Sequence, residues 1–251
     1  MSDGVSSTTQ PIKPVHGLAA FVGFVRYEQG HPAPMIDVRL MATRGQWPVQ
    51  LTAFLFGMSV LGAQIPLSTF ARTDPDAVGY GLGASAGFVS TLIGVYVVAL
   101  VAGALLLPLV ARLAGTRGAM VAASLLVAVG YALFLPFHGS TLAALLNMAV
   151  AGVGSGALVA ALPAAAAAAA PPDRTGFVTG MTNTTKTIGG AIASSVFAIA
   201  LAATGALDDS AATGHAPLSG YLTVWTVCAV TALVAAVSLL VVPKQAFADH
   251  A

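Results

Sequence analysis

One lysine stands inside a long apolar segment, where a full positive charge is unfavourable. In the stretch RTGFVTGMTNTTKTIGGAIASSV, Lys186 follows Arg174 by twelve residues. A helix rises 1.5 Å per residue, so Lys186 would lie about 18 Å beyond Arg174, near the middle of a bilayer. Insertion scales give a cost of about 2.5 to 3.5 kcal/mol for a lysine at that depth. We therefore expect Lys186 to face protein or water rather than lipid.

Polar residues accompany Lys186 at helical spacing. Positions three and four residues apart share one face of a helix, and this face carries Thr179, Asn183, Lys186, Thr187, Gly190 and Ser194. The opposite side is largely apolar, with Val178, Met181, Ile188, Ile192 and Val196. We predict that Thr179, Asn183, Lys186 and Thr187 line a substrate pathway. The alternative is that Lys186 extends to the cytoplasmic interface or binds backbone carbonyls.

Two other polar residues and four glycines complete the candidate set. Gln64 and Asn147 are the other strongly polar side chains recognised within apolar segments, and either could contact a substrate. Either could equally form an interhelical hydrogen bond, worth about 0.6 kcal/mol in a membrane protein. Small residues let helices approach closely, so Gly152 and Gly156, and likewise Gly189 and Gly190, are predicted packing positions.

The elements that must position these residues are transmembrane helices. The 251-residue chain is 57% hydrophobic and only 8% charged, whereas soluble domains are about 25% charged. Six apolar segments are long enough to cross about 30 Å of hydrocarbon. They lie near 47–71, 88–112, 119–137, 141–169, 176–204 and 219–242. These segments predict an all-α integral membrane protein with a six-helix bundle.

The predicted bundle occupies residues 47–244, between two cytoplasmic segments. Residues 1–46 form an N-terminal segment with a short apolar stretch at Gly17–Tyr27, and residues 245–251 form a short tail. Eleven residues are too few to cross a bilayer, so the stretch is expected to be an interfacial helix or part of a longer span.

Basic residues set the expected orientation. They precede the first segment or lie in alternate connections, at Lys13, Arg26, Arg39, Arg44, Arg112, Arg117, Arg174 and Lys244. The other connections carry only Arg72, together with Asp74, Asp76, Asp208 and Asp209. The positive-inside rule then predicts a multi-pass protein of the inner or plasma membrane with both termini in the cytoplasm.

Composition argues against several other functions. A net charge of +1 gives no reason to expect nucleic-acid binding, which requires a basic patch. The single Cys228 excludes an internal disulfide framework and a cysteine metal cluster. All nine acidic residues fall outside the apolar segments, and no catalytic triad or paired carboxylates are recognisable. We therefore expect no enzyme, no cofactor and no metal site.

Four stretches resemble the major facilitator superfamily, and particularly its fourteen-helix branch of drug:proton antiporters. They are YEQGHPAPMIDVRL, GYGLGASAGFVSTLIGVYVVALVAGALLLPLVARLAGTRG, NMAVAGVGSGALVAALP and RTGFVTGMTNTTKTIGGAIASSV. Their order and spacing are similar to those of the C-terminal half of such a transporter, over about residues 17–245. The turn PLVARLAGTRG keeps Gly115 and Arg117 but lacks the aspartate of the family's loop motif.

The resemblance implies one half of a major facilitator fold and, in the full-length form, efflux of small drug-like molecules. The implied partners are the lipid bilayer, a small-molecule substrate, and an N-terminal transporter half or a second copy of this chain. Two alternatives stay open: a truncated fragment inactive in transport, and a membrane partner subunit without transport activity.

Cysteine labelling tests the predicted topology. A membrane-impermeant thiol reagent should modify Ser210→Cys in intact cells, because the loop after the fifth segment is predicted to be external. It should modify Ala114→Cys only after permeabilisation. The reverse pattern would mean that the orientation is wrong.

Overall fold

We describe residues 22–24, 26–28, 30, 36–203 and 216–241 of the chain in a computed structural model. These residues divide into two compact units, Met1–Ala42 and Thr43–Ala251, which are treated separately. The described residues include helices, turns and bends but no strand. The all-α prediction is therefore confirmed for this part of the chain.

The first unit contains the short helix α1 (Val38–Met41), which the side chain of Asp37 caps by accepting a hydrogen bond from the Leu40 amide. Residues 22–24 and 26–28 are also helical. The rest of the predicted Gly17–Tyr27 stretch lies outside the described residues. So do the acidic loop positions Asp208 and Asp209, and the predicted tail 245–251.

The second unit is a bundle of long apolar helices. Its elements are α2 (Trp47–Gly62), α3 (Gln64–Arg72), α4 (Pro75–Val78), α5 (Ala86–Ala132), α6 (Thr141–Ala168), a 3-10 turn (Pro172–Arg174), α7 (Thr175–Ala203) and α8 (Leu218–Val241). Counting Trp47–Arg72 as one segment, five helices of the described chain are long and apolar enough to cross a membrane. The predicted membrane bundle is confirmed.

The boundary between α2 and α3 follows from a proline. Pro66 lies in the first turn of α3, and the helix is interrupted at Ala63. Proline has no amide hydrogen and therefore cannot donate to the carbonyl four residues earlier, which belongs to Gly62. The first span thus continues in two pieces with a local break.

Helix α5 reverses direction at Gly115. A straight helix of its 47 residues would be about 70 Å long, more than twice the hydrocarbon thickness. Gly115 has φ 72° and ψ 163°, a conformation that suits glycine. Leu100 packs beside Gly156, and Ala123 packs beside the neighbouring Gly154.

This pairing requires two antiparallel spans. In a straight helix, residues 100 and 123 would be about 35 Å apart, yet both contact the same short stretch of α6. We refer to 86–114 as α5a and to 116–132 as α5b. They correspond to the second and third predicted segments, although α5b ends earlier than expected and residues 133–136 form turns.

Apart from Lys186, the described charges of this unit lie at the two ends of the bundle. The Gln46 side chain donates to the Ala166 carbonyl, which places the start of α2 beside the end of α6. The guanidinium of Arg117 donates to the carbonyls of Leu239 and Leu240 at the end of α8. Arg44, Arg112 and Arg174 lie at this same end. The positive charge of Arg117 also interacts favourably with the negative, C-terminal end of the α8 dipole.

The opposite end contains Arg72 and a buried aromatic cluster. Rings from two spans and from the turn after α5b meet there: Phe70 lies edge-on to Trp225 at 4.9 Å, and Phe134 stacks on Trp225 at 4.9 Å. The Tyr80 hydroxyl donates to the Ala216 carbonyl at 2.5 Å. Burial, and then the nearby Tyr221, raise the pKa of Tyr80 above its ordinary value. The cluster ties the connections at this end to the helices.

Replacing a glycine at a helix contact tests how closely the helices pack. A β-carbon at Gly156 would overlap the Leu100 carbonyl oxygen, so Gly156→Ala should lower stability by about 1–3 kcal/mol, as overpacking does. At Gly94, in the facing helix, nothing lies within 4 Å of an added β-carbon. Gly94→Ala should therefore leave thermal unfolding in detergent unchanged or slightly raised. Equal behaviour of the two variants would contradict the packing geometry.

Candidate functional site

The polar face of α7 carries Lys186 near the middle of the membrane span. Gly57 packs directly against the Lys186 backbone carbonyl, and it lies about midway along the span Trp47–Arg72. Because the Lys186 backbone is held at this depth, its charge cannot move to the end of the span by sliding of the helix.

The side chain of Lys186 pairs with an amide rather than with an acid. Its Nζ donates to Asn183 Oδ1 at 3.0 Å. Asn183 and Thr187 are exposed on the surface of the bundle, and Lys186 is half-buried. The hydroxyl of Thr187 donates to the Asn183 carbonyl, and that of Thr179 donates to the Thr175 carbonyl. The two threonine hydroxyls thus use their hydrogens within the helix, and Asn183 Oδ1 is the described side-chain partner of Lys186.

The described spans supply no carboxylate to balance this charge. The acidic residues that the structure describes are Glu28, Asp37, Asp74, Asp76 and Asp173, and none lies in a transmembrane helix. Among the described residues, the single ion pair joins Arg174 to Asp173 at 3.5 Å, outside the long helices. Lys186 therefore has no acidic partner among the described residues.

The buried strip of α7 lies between the two predicted faces, and both of those faces are partly exposed. Val178, Thr182, Gly189 and Ala193 are buried, and Gly189 packs against the Phe54 backbone of α2. Ile188 on the apolar flank is 49% exposed. The polar face is thus a surface of this bundle rather than the wall of a closed internal channel.

Gln64 and Asn147 occupy different environments. Asn147 is buried and its Nδ2 donates to the Phe137 carbonyl at 3.1 Å, so it joins α6 to the turn after α5b. Gln64 is exposed, and its side chain makes no hydrogen bond with a described residue. The six predicted pathway residues therefore fall into three places: four on α7, one on α6 and one at the start of α3.

The predicted packing glycines lie at close helix contacts. A β-carbon at Gly152 would meet Ala99 and the Tyr96 carbonyl, and one at Gly190 would meet Leu61. The predicted pairs thus lie between α6 and α5a, and between α7 and α2. The substitution test above examines this role directly.

A polar contact that the sequence analysis overlooked crosses the α2–α7 interface. Gln50 Nε2 donates to Thr182 Oγ1 at 3.1 Å, while the Thr185 hydroxyl donates to Gln50 Oε1 at 3.1 Å. Gln50 is 8% exposed. The signal was present, since Gln50 lies within the first apolar segment just as Gln64 does.

A large cavity opens at the Arg72 end of the bundle. Its volume is about 930 Å³, and α3, α5a, α7 and the start of α8 contribute to its walls. The lining includes Gln64, Arg72, Leu92, Tyr96, Ser194 and Phe197. Lys186 does not line it. Ser194 belongs to the polar face of α7, and this face therefore extends from Lys186 to the cavity.

The comparisons with known proteins agree with this architecture. Residues 43–249 match the family model described as Major Facilitator Superfamily. Among solved structures, the chain is similar to the inward-open xylose transporter XylE from E. coli, with 17% sequence identity and a TM-score of 0.59. No curated protein matches significantly.

The match to XylE covers 80% of this chain but 49% of XylE, so the chain spans about half the length of that transporter. At this identity the likeness supports the fold alone. The family model, in contrast, covers most of the chain, with a membrane bundle that fits it. The chain is a multi-pass membrane protein and belongs to the major facilitator superfamily.

Proposed function

We propose that this chain is the C-terminal bundle of a carrier from the fourteen-helix drug:proton antiporter branch, and that the full-length form exports small amphipathic molecules. The bundle would act with an N-terminal transporter half or with a second copy of this chain. We place it in the inner or plasma membrane, with the Arg117 end and both termini in the cytoplasm. We propose a carrier without a cofactor rather than an enzyme.

One observation carries the proposal: the Lys186–Asn183 pair is exposed at mid-depth on the bundle surface. Exposure of such a pair to hydrocarbon would cost several kcal/mol, whereas a water-filled path between two bundles would accommodate it. Carriers of this superfamily move two six-helix bundles around a site near the membrane centre. The polar face of α7 is the surface that we assign to that path.

A second candidate is a bundle that does not transport by itself, either as an inactive fragment or as a membrane partner. The observation that favours it is the charge distribution, because the described spans carry Lys186 and no carboxylate. Proton-coupled carriers use intramembrane acidic groups or histidines as relays. Such a bundle would need a partner to supply them.

Thiol accessibility tests whether the α7 face is wet. In a Cys228→Ala background, we compare Thr187→Cys with Ile188→Cys, two adjacent positions that are both exposed in this bundle. A small charged reagent should modify Thr187→Cys at least about tenfold faster, because thiolates form in water and not in lipid. Both variants keep Lys186 and Asn183.

Similar rates at the two positions would mean that the α7 face has no special access to water. Cys228 is fully buried, so its replacement removes background labelling without opening the surface. Labelling should be measured in membranes rather than detergent, because detergent would wet both sides of the helix.

Reconstitution tests the second candidate. The purified chain in liposomes with an imposed pH gradient should not accumulate a fluorescent amphipathic dye, because one bundle has nothing to move against. Co-reconstitution with an N-terminal half should be required for uptake. Accumulation by the chain alone, abolished by an uncoupler, would contradict the second candidate and show that copies of this chain suffice for transport.

A further inference from the structure

We propose that the cavity at the Arg72 end binds an amphipathic anion. The anionic head group would contact the Arg72 guanidinium, and the apolar part would lie between α3, α5a and α7. The cavity volume of about 930 Å³ falls within the range of small-molecule sites. This inference rests on the proposed function only for the role of the ligand as cargo, since binding can be measured on the chain alone.

Arg72 supplies the charge that selects an anion. It is the last residue of α3, it is exposed, and it lines the cavity. It forms no ion pair with a described residue, and no described carboxylate belongs to the lining. The neighbouring Asp74 instead accepts a hydrogen bond from the Asp76 amide and caps α4. The fixed charge of the described lining is therefore positive.

Gln64 is a second available hydrogen-bond donor on α3, and it extends the preference for an anion from Arg72 into the cavity. Ser68 donates to the Gln64 carbonyl at 2.9 Å, and Thr69 donates to the Ile65 carbonyl at 2.7 Å, so both hydroxyl hydrogens are used within the helix. The Gln64 amide and the Arg72 guanidinium have no such partner. They are eight residues apart, or about 12 Å along one helix. A ligand with acceptors at its head and along its body can use both groups.

Apolar side chains from two other helices form much of the remaining wall. Leu92 and Ile93 come from α5a, and Phe197 comes from α7. Tyr96 also lines the cavity, and its hydroxyl is buried beside the hydroxyl of Ser155. A hydrophobic body with a single charged end fits these walls better than a small hydrophilic ion does.

The polar face of α7 carries a second positive charge, Lys186, further along the helix from the cavity. Ser194 lines the cavity and lies eight residues beyond Lys186, which is about 12 Å along the helix. Both cations on this route, Arg72 and Lys186, lack an acidic partner among the described residues. An anion moving between them would meet attraction at each end, and an organic cation would meet repulsion.

Direct binding to the purified chain in phosphatidylcholine nanodiscs tests the proposal. The probe is anilinonaphthalene sulfonate, an amphipathic anion, and its uncharged counterpart is N-phenylnaphthylamine, which lacks the sulfonate. Arg72→Gln should weaken sulfonate binding about tenfold or more, as loss of a charged hydrogen bond does. Binding of N-phenylnaphthylamine should change by less than about twofold, because it does not depend on a charged contact.

Arg112→Gln is the matched control. Arg112 is also an exposed cation near the end of a helix, but it lies at the opposite end of α5a and outside the cavity. This variant should bind both probes as the unaltered chain does. If Arg72→Gln leaves sulfonate affinity unchanged, or if both arginine variants weaken it equally, the proposal is overturned.

Two competition experiments distinguish a lipid head group from a soluble amphipathic anion as the natural ligand. Competition by phosphatidylglycerol, dependent on Arg72, would identify a lipid head group as the ligand. Competition by a free long-chain carboxylate but not by phosphatidylglycerol would identify a soluble amphipathic anion, and either result supports the site. Absence of dye transport would leave a positive binding result intact, so failure of the proposed function can be separated from failure of this site.

Discussion

Backbone contact between paired helices is the constraint on which this bundle depends. Gly57 of α2 lies against the Lys186 carbonyl of α7, and Gly156 of α6 lies against the Leu100 carbonyl of α5a. Hydrocarbon provides little hydrophobic drive for helix association, so close van der Waals packing must supply much of the stabilisation. Any side chain larger than glycine at these contacts forces the helices apart.

The same contact decides where polar groups can go. With its backbone against Gly57, Lys186 has its side chain beside the interface, where it reaches Asn183. Gln50 bridges the same two helices through Thr182 and thereby opposes sliding of α7 along α2. Packing and the position of the charge are therefore coupled on α7, because the packed side of the helix fixes the membrane depth of Lys186.

Much of the architecture could be predicted from the sequence because membrane helices are specified by local composition. Segment length and apolarity located each long span that the structure describes, and the connection around Gly115 was recognised even though helical geometry continues on both sides of it. The placement of Lys186 on a polar face followed from helical periodicity alone.

The environments of individual side chains were less predictable. Asn147 and Gln64 are both amide side chains within apolar segments of the sequence. In the structure, however, Asn147 binds the Phe137 carbonyl, whereas Gln64 lines the cavity. The role of Gln50 was missed because its partner, Thr182, is 132 residues away in the chain. Rings such as Phe70 and Trp225 meet only after the spans assemble. Long-range neighbours of this kind leave no periodic signal.

The contact between Arg117 and the end of α8 has a consequence for biosynthesis. Spans leave the ribosome in chain order, so α5b enters the membrane well before the carbonyls of Leu239 and Leu240 exist. Until α8 arrives, the Arg117 guanidinium must be satisfied by water or lipid head groups. The clamp between α5b and α8 therefore forms only after both spans have been inserted. Nascent chains halted before α8 would leave the Arg117 guanidinium exposed at the membrane surface, which distinguishes them from chains in which α8 covers it.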